Sequence, residues 1–146
     1  MLRAVLDANV YVSAAIRPEG PPGQVVERFL RETPFELVLS PAIIDEILET
    51  LADPKGRRYI RAGIDAPIWF EAIIVLADLV AGAYEVHGVS RDPDDDKYLA
   101  AAGEGGAAFV VTGDPDLLDV AEHDGVRIVS PRQFLDVLDN ESSSTA

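Results

Sequence analysis

The segment LRAVLDAN, residues 2–9, begins with a short apolar run that ends in an acidic residue, Asp7. A short apolar run bounded in this way is typical of a buried strand. The same arrangement recurs in AFVVTGDPD, residues 108–116, where the apolar run ends before Thr112 and Asp114. In an open parallel sheet, ligands bind beyond the carboxyl ends of the strands. The two segments therefore predict a site at which acidic residues from distant parts of the chain converge.

Strand-like runs and helical patterns alternate along the whole chain. We predict strands over residues 2–6, 35–39, 84–86, 107–112 and 126–129. We predict helices over residues 8–16 and 24–32, from residue 41 onward, and over residues 67–80, 93–102, 116–122 and 131–138. This alternation predicts an α/β fold, an α/β/α sandwich with a central parallel sheet. We assign residues 1–139 to one domain and the serine-rich residues 140–146 to a flexible C-terminal tail.

The helix that follows Ser40 carries two acidic residues beside an apolar face. Ser40 is a typical N-cap, and Pro41 suits the first helical position. Isoleucine and leucine recur on one face of this helix, at positions 43, 44, 47, 48 and 51. Helical spacing places Asp45 and Glu46 on the two flanks of that face, so either side chain could reach a cleft beside the core. Periodicity leaves both residues as candidates.

Composition limits the classes of function open to this chain. Its 146 residues include 26 acidic and 12 basic side chains, for a net charge of −14. A nucleic-acid role would therefore need a local basic patch, a bound metal or the charge of a partner. The absence of cysteine excludes disulfides and thiolate chemistry and fits a reducing compartment. No apolar stretch is long enough to cross a membrane, and we expect a cytoplasmic protein.

Each acidic residue also has a purely structural interpretation. Asp7 and the acidic run at residues 92–96 could cap the helices that follow them, because aspartate is a common N-cap. Asp114 and Asp116 could be turn residues, because Asp-Pro steps favour turns. Their joint placement favours a site, since converging carboxylates repel one another unless a cation such as Mg²⁺ neutralises them.

Four segments, in this order, resemble the PIN-domain family, and in particular the VapC-like toxins of bacterial and archaeal toxin–antitoxin systems. They are VLDANV (5–10), LSPAIIDEI (39–47), DPDDDKYLAAA (92–102) and VTGDPDLL (111–118). The resemblance covers about residues 1–135. Two other families fit poorly. Haloacid dehalogenase phosphatases need a second aspartate where Asn9 stands, and receiver domains need a lysine after a late strand, where neither Lys55 nor Lys97 lies.

The resemblance implies a ribonuclease, a hydrolase of phosphodiester bonds that uses Mg²⁺ or Mn²⁺. It implies four catalytic metal ligands, a fifth acid that holds metal through water, and two supporting polar residues. In that order they are Asp7, Glu46, Asp96 and Asp114, then Asp116, then Asn9 and Thr112. We prefer Asp96 within the acidic run because it directly precedes the helix that resembles the family's, while Asp92, Asp94 and Asp95 stay open as alternatives.

The resemblance also implies partners: an RNA substrate, a cognate antitoxin and a second copy of the chain in a homodimer. The most basic segment is residues 55–61, where Arg57, Arg58 and Arg61 either contact phosphate or form a solvated helix surface. His87 and His123 lie outside the four segments, and we assign them no catalytic role. Two alternatives share the fold: a metal-binding module without turnover, and a PIN-type RNA-processing nuclease without an antitoxin.

Overall fold

A computed structural model describes residues 1–60 and 62–144 of the chain. The strands are β1 (Arg3–Leu6), β2 (Glu36–Leu39), β3 (Asp78–Leu79), β4 (Phe109–Val111), β5 (Glu122–His123) and β6 (Val126–Val129). The helices are α1 (Ala8–Ile16), α2 (Pro21–Glu32), α3 (Pro41–Ala52), α4 (Pro54–Arg57), α5 (Ala66–Leu76), α6 (Asp96–Gly105), α7 (Pro115–Leu118) and α8 (Pro131–Ser144), with a 3₁₀ helix at Pro93–Asp95. None of the helices in this described part has the length and apolar character that a bilayer crossing requires.

The sheet places β1 and β4 side by side at its centre. Its strand order is β3-β2-β1-β4-β6-β5, and all neighbouring strands are parallel except β5 and β6. The chain proceeds outward from β1 to β3 on one side and then continues on the other side of β1 with β4. The predicted α/β/α architecture is confirmed. The reversal between β1 and β4 is where an open α/β sheet forms its ligand crevice.

Helix α6 packs closely over the central strands β1, β2 and β4. A Cβ atom added to Gly105, at the end of α6, would lie 2.6 Å from Val38 Cγ1, so a larger residue would require the Val38 side chain to move. The Gly105 carbonyl also accepts a hydrogen bond from Arg3 Nε at 2.6 Å. These contacts anchor the C-terminal end of α6 to β1 and β2.

Arg3 of β1 connects three strands at the N-terminal ends of the parallel strands. Its guanidinium forms ion pairs with Glu36 at the start of β2 and with Asp78 at the start of β3. The guanidinium of Arg3 therefore balances the charges of Glu36 and Asp78.

The structure corrects our prediction for residues 67–86. Helix α5 ends at Leu76, residues 78–79 form β3, and residues 84–86 are not a strand. Within α5, Phe70 and Ile73 are buried, whereas Ile68 and Leu76 are 63% and 50% exposed. Helix α5 has one charged residue in eleven, so its sequence contains little polar contrast from which an inner face could be chosen.

Other corrections concern the ends of elements. Helix α2 begins at Pro21 rather than at residue 24, and α7 ends at Leu118 rather than at residue 122. Residues 122–123 instead form β5, which turns into β6 through two residues with positive φ, Asp124 and Gly125. Helix α8 continues to Ser144, beyond its predicted end at residue 138. The flexibility of residues 140–146 stays a prediction, and residues 145 and 146 lie outside the described residues.

Candidate metal centre

Acidic side chains converge at the carboxyl ends of β1 and β4. Asp7 follows β1, Asp114 follows β4, and Asp92 and Asp95 lie in the turn and 3₁₀ helix that lead into α6. Asp92, Asp95 and Asp114 each offer one carboxylate oxygen, and these three oxygens lie within 4.8 Å of one another. Three oxygens at this spacing match the ligands that Mg²⁺ and Mn²⁺ prefer, and no histidine or cysteine belongs to this group.

The pairing of β1 with β4 determines the position of Asp7. The register pairs Leu6 with Val111, so that Asp7 and Thr112 leave the sheet side by side. The Asp7 backbone N–H donates to the Val111 carbonyl at 3.0 Å. The buried Thr112 hydroxyl donates to Asp7 Oδ2 and accepts from the backbone N–H of Asp114 at 3.0 Å. One threonine therefore connects the two aspartates that follow the central strands.

The helix-capping interpretation of these aspartates is also correct. Asp7 Oδ1 accepts from the backbone N–H three residues later, at 3.0 Å, and caps α1. Asp114 Oδ1 and Asp92 Oδ1 accept from the N–H two residues later, at 2.9 Å and 3.0 Å, and cap α7 and the 3₁₀ helix. Each capping bond uses one oxygen of its carboxylate. Capping a helix is therefore compatible with a second role for the same side chain.

Asp95 lies in the most crowded part of the acidic group. Burial raises its pKa to about 7, together with a hydrogen bond to Asp114 and the negative charges of Asp114, Asp92 and Asp7. The residue is only 8% exposed, and the Ser90 hydroxyl donates to Asp95 Oδ2 at 3.4 Å. Repulsion among these carboxylates is what a bound divalent cation would relieve.

Asp7 is more deeply buried than the other acids of the group, with 3% of its surface exposed. Burial raises the pKa of Asp7, and hydrogen bonds from Thr112 and from the backbone of Val10 and Asn9 oppose that rise. The charge of Asp114 raises the pKa further. Asp7 and Asp114 are thus close enough to interact electrostatically, as their positions at neighbouring strand ends predict.

Asp96, our preferred ligand in the acidic run, faces another neighbour. Its Oδ1 accepts from the backbone N–H of Ser90 at 2.8 Å, and it is not part of the group formed by Asp92, Asp95 and Asp114. Both side chains contact Ser90, Asp96 through the Ser90 backbone N–H and Asp95 through the Ser90 hydroxyl, but of the two only Asp95 also lies beside Asp114. Asp92 and Asp95 belong to the group with Asp114, and Asp96 does not, so the role of Asp96 stays a prediction. Asp94 is exposed.

Two other predicted metal-site acids already have basic partners. Glu46 forms an ion pair with Lys97, and Asp116 Oδ1 lies 2.9 Å from Arg91 Nη2. By contrast, within residues 1–60 and 62–144 no basic side chain forms an ion pair with any acid of the group Asp7, Asp92, Asp95 and Asp114. We call these four residues the acidic cluster. The uncompensated charge of the site is concentrated there.

The remaining predicted residues lie outside the acidic cluster. Asn9 is exposed. Arg57 lines a cavity of about 530 Å³ at the junction of α3, α4 and α5, and the Arg58 guanidinium lies 5.0 Å from the centre of the Tyr59 ring. Arg61 lies outside the described residues. Of the described residues of the basic segment, none forms a hydrogen bond or an ion pair with the acidic cluster.

Sequence reasoning missed two residues that contact the site. Lys97 is the partner of Glu46, and the Tyr98 hydroxyl accepts from the backbone N–H of Ala8 at 3.1 Å. Burial raises the pKa of the Tyr98 phenol, as do the nearby carboxylates of Glu46 and Asp7. Both residues directly follow the acidic run, and that adjacency was the signal that could have identified them.

Comparisons with known proteins agree with this architecture. Residues 3–116 match a family model described as a PIN domain. The chain is 26% identical over 143 residues to the uncharacterised protein MJ1680 of Methanocaldococcus jannaschii, with 92% of this chain and 90% of that protein covered.

Two solved structures have a similar fold. One is VapBC2 from Rickettsia felis bound to a DNA fragment from their promoter, with a TM-score of 0.58, 10% identity, and 88% of this chain and 98% of that chain covered. The other is PAE2754 from Pyrobaculum aerophilum, with a TM-score of 0.56, 14% identity, and 95% and 90% covered. At these identities the matches show the fold alone.

The acidic cluster predicts a specific dependence of stability on pH in the metal-free protein. The folded pKa of Asp95 is about 7, whereas an unfolded aspartate titrates near about 3.9. The folded state therefore retains a proton that the unfolded state releases, and this contribution to stability is lost as pH rises through about 7. We expect Asp95→Asn to flatten the fall in unfolding free energy between about pH 4 and about pH 7, measured by urea denaturation in EDTA.

Asp94→Asn is the matched control. Asp94 is exposed, and its substitution removes the same charge from the same turn. It should leave the pH dependence close to that of the wild type. A folded Asp95→Asn protein with an unchanged pH dependence would show that the carboxylates do not repel one another as the structure indicates.

Proposed function

The chain belongs to the PIN-domain family, whose members are generally nucleases, and we propose that it is a Mg²⁺- or Mn²⁺-dependent endoribonuclease. The observation that supports this most strongly is the acidic cluster. Its four carboxylates come from three separate parts of the sequence and lie at the switch point of the sheet, and none of the described basic side chains forms an ion pair with them. Capping accounts for Asp7, Asp92 and Asp114, but Asp95 makes no capping bond, and capping does not explain why the four carboxylates converge.

The residues present fit a hard divalent cation, which when bound would polarise a phosphodiester and lower the pKa of a water molecule. Asp92, Asp95 and Asp114 would hold it through their three adjacent oxygens. Thr112 orients Asp7 beside them through its hydroxyl. Hydrolysis would join a water oxygen to phosphorus as the bond to the 3′ oxygen breaks. Asp7, Glu46, Asp96 and Asp114 stay proposed catalytic residues, and Asp116 stays a proposed outer ligand. Substitutions of Asp7, Asp96 and Asp114 test three of these roles.

We expect the purified protein to cleave RNA in Mg²⁺ or Mn²⁺ and to stop in excess EDTA. Asp7→Asn, Asp95→Asn and Asp114→Asn should each reduce the rate by more than about a hundredfold, because removal of even an outer partner of a metal ligand costs about 10- to 100-fold. Asp96→Asn should cost less than Asp95→Asn, since Asp96 faces the backbone of Ser90. Cleavage of a labelled RNA, with circular dichroism to verify folding, measures both effects.

Asp94→Asn again serves as the control and should retain activity. Cleavage that resists EDTA would contradict the metal mechanism. A larger loss in Asp96→Asn than in Asp95→Asn would restore the assignment of Asp96. Metal binding with no RNA cleavage would favour the alternative of a binding module without turnover.

We further propose that Arg57 and Arg58, with Arg61, contact the RNA backbone. Helix α3 connects the surroundings of the acidic cluster with this basic segment. Its residue Glu46 lies near Tyr98, and Leu51 lies five residues further on, about 7.5 Å along the helix axis. Leu51 and Arg57 line the same cavity. An RNA strand that passes the acidic cluster could therefore extend to this segment, where arginine suits the geometry of phosphate.

Arg57→Ala with Arg58→Ala should weaken RNA binding and reduce its salt dependence. Loss of two phosphate contacts to single-stranded RNA should lower the slope of log K against log salt by about 1.4, because fewer counterions are released. Fluorescence anisotropy at several salt concentrations measures the slope. Arg17→Ala with Arg31→Ala makes the same change in net charge at two exposed arginines elsewhere. An equal change in both double variants would indicate a solvated surface instead.

We propose a cytoplasmic toxin of a type II toxin–antitoxin pair that forms a homodimer and is inhibited by a cognate antitoxin. The resemblance of the four sequence segments to such toxins supports this role. The acidic cluster is suited to capture by an arginine or lysine of the partner. Helix α5 exposes the apolar residues Ile68 and Val75, which suit an apolar contact with a protein.

Expression of the chain alone should arrest growth, and co-expression of the small open reading frame beside its gene should restore it. Asp95→Asn should be harmless because it removes the proposed ligand. Purification from the native operon should yield both polypeptides, and light scattering of the isolated chain should give the mass of a dimer. Harmless expression of an active nuclease, with no second polypeptide, would favour the RNA-processing alternative. A monomer mass would refute the homodimer.

A further inference from the structure

Lys97 occupies an unusual position for a basic residue in so acidic a chain. It is the second residue of α6 and directly follows the acidic run at residues 92–96. Its Nζ forms an ion pair with Glu46 of α3. We propose that Lys97 is a built-in cation that takes the place of a second metal ion at Glu46, so that the protein binds one divalent ion and not two. The inference concerns the metal site of the proposed function and rests on that site.

The ammonium group of Lys97 is held by more than one contact. The side chains of Lys97 and Glu46 are 24% and 36% exposed, so solvent screens the pair less than it screens a fully exposed one. The Lys97 Nζ also lies 5.2 Å from the centre of the Tyr98 ring, within the range of a cation–π interaction. The positive charge therefore has a defined position against α3.

Tyr98 lies beside the same carboxylate. Glu46 is close enough to raise the pKa of the Tyr98 phenol, and the phenol oxygen accepts a hydrogen bond from the backbone N–H of Ala8. Ala8 is the residue after Asp7. Consecutive residues of α6 thus hold Glu46, and one of them also links it to the backbone beside the acidic cluster. Glu46 is near that cluster and yet is already neutralised by a cation of its own.

The distribution of basic partners divides the acids of the site into two sets. The acidic cluster has no ion-pair partner among the described residues, whereas Glu46 has Lys97. A divalent ion can bind the acidic cluster without displacing any protein cation. At Glu46 a divalent ion would have to displace a tethered ammonium group, which would then lose its carboxylate partner. One ion at the acidic cluster and one lysine at Glu46 is the arrangement that keeps both sets neutralised.

Counting bound ions tests the inference without any RNA. Mn²⁺ is titrated into the full-length chain and followed by electron paramagnetic resonance and calorimetry. We expect one ion per chain in the wild type. Lys97→Met keeps much of the length of the side chain and removes its charge. This variant should bind an additional Mn²⁺ at Glu46, or its affinity for Mn²⁺ there should exceed that of the wild type by at least about tenfold. Lys97→Arg should restore the wild-type count, because it retains the charge.

Two further variants separate this effect from a general loss of positive charge. Lys97→Met combined with Glu46→Gln should lose the additional ion, because the carboxylate that binds it is gone. Arg28→Met removes one positive charge from a distant ion pair with Asp139 and should leave the count unchanged. Lys97→Gln replaces Lys97→Met if thermal melting shows that the methionine variant does not fold.

The inference is overturned if folded Lys97→Met and Lys97→Gln bind the same number of ions as the wild type with the same affinity. It is also overturned if the wild type binds two ions and Glu46→Gln removes one of them. These results are independent of nuclease activity. A protein that binds Mn²⁺ but leaves RNA intact would refute the proposed function, while the ion count would still decide the role of Lys97.

Discussion

The site depends on the parallel pairing of β1 with β4. Asp7 and Thr112 are 105 residues apart in sequence, and only the register of Leu6 with Val111 makes them neighbours. The Thr112 hydroxyl then joins Asp7 to the backbone of Asp114. A shift of this register by one residue would turn the side chains to the opposite face of the sheet and separate the aspartates. The chemistry of the site is thus a consequence of strand pairing.

Much of this arrangement could be predicted from the sequence, because Asp7 and Asp114 follow apolar runs that end at the same edge of the sheet. The sequence could not show which acid of residues 92–96 belongs to the site, since five residues that are nearly all acidic contain no periodicity. The change from 3₁₀ helix to α6 decides which of these carboxylates faces Asp114. The choice between Asp45 and Glu46 needed the partner helix α6, because Glu46 contacts Lys97 and lies near Tyr98 of that helix whereas Asp45 is exposed. The inner face of α5 could not be predicted for a different reason, because only one of the eleven residues of that helix is charged.

The structural and functional explanations of the aspartates are both valid. Asp7 caps α1 through one oxygen, and the N-terminal end of a helix carries a partial positive charge that stabilises a nearby carboxylate. Helix α6 also begins at the acidic cluster, at Asp96. These helix ends reduce the repulsion that the cluster would otherwise impose on the metal-free fold. An acid can therefore be recruited to a metal site from a capping position without loss of its first role.

The anchoring of α6 at Gly105 has a mechanical consequence. The C-terminal end of this helix is fixed by its close approach to Val38 and by the bond from Arg3 to the Gly105 carbonyl, while its N-terminal end adjoins Asp95 and carries Lys97. A ten-residue helix is about 15 Å long, so a tilt of about 4° about its anchored end moves the opposite end by about 1 Å. A small change in packing at Gly105 would therefore alter the distance between the N-terminal end of α6 and the carboxylates of the acidic cluster.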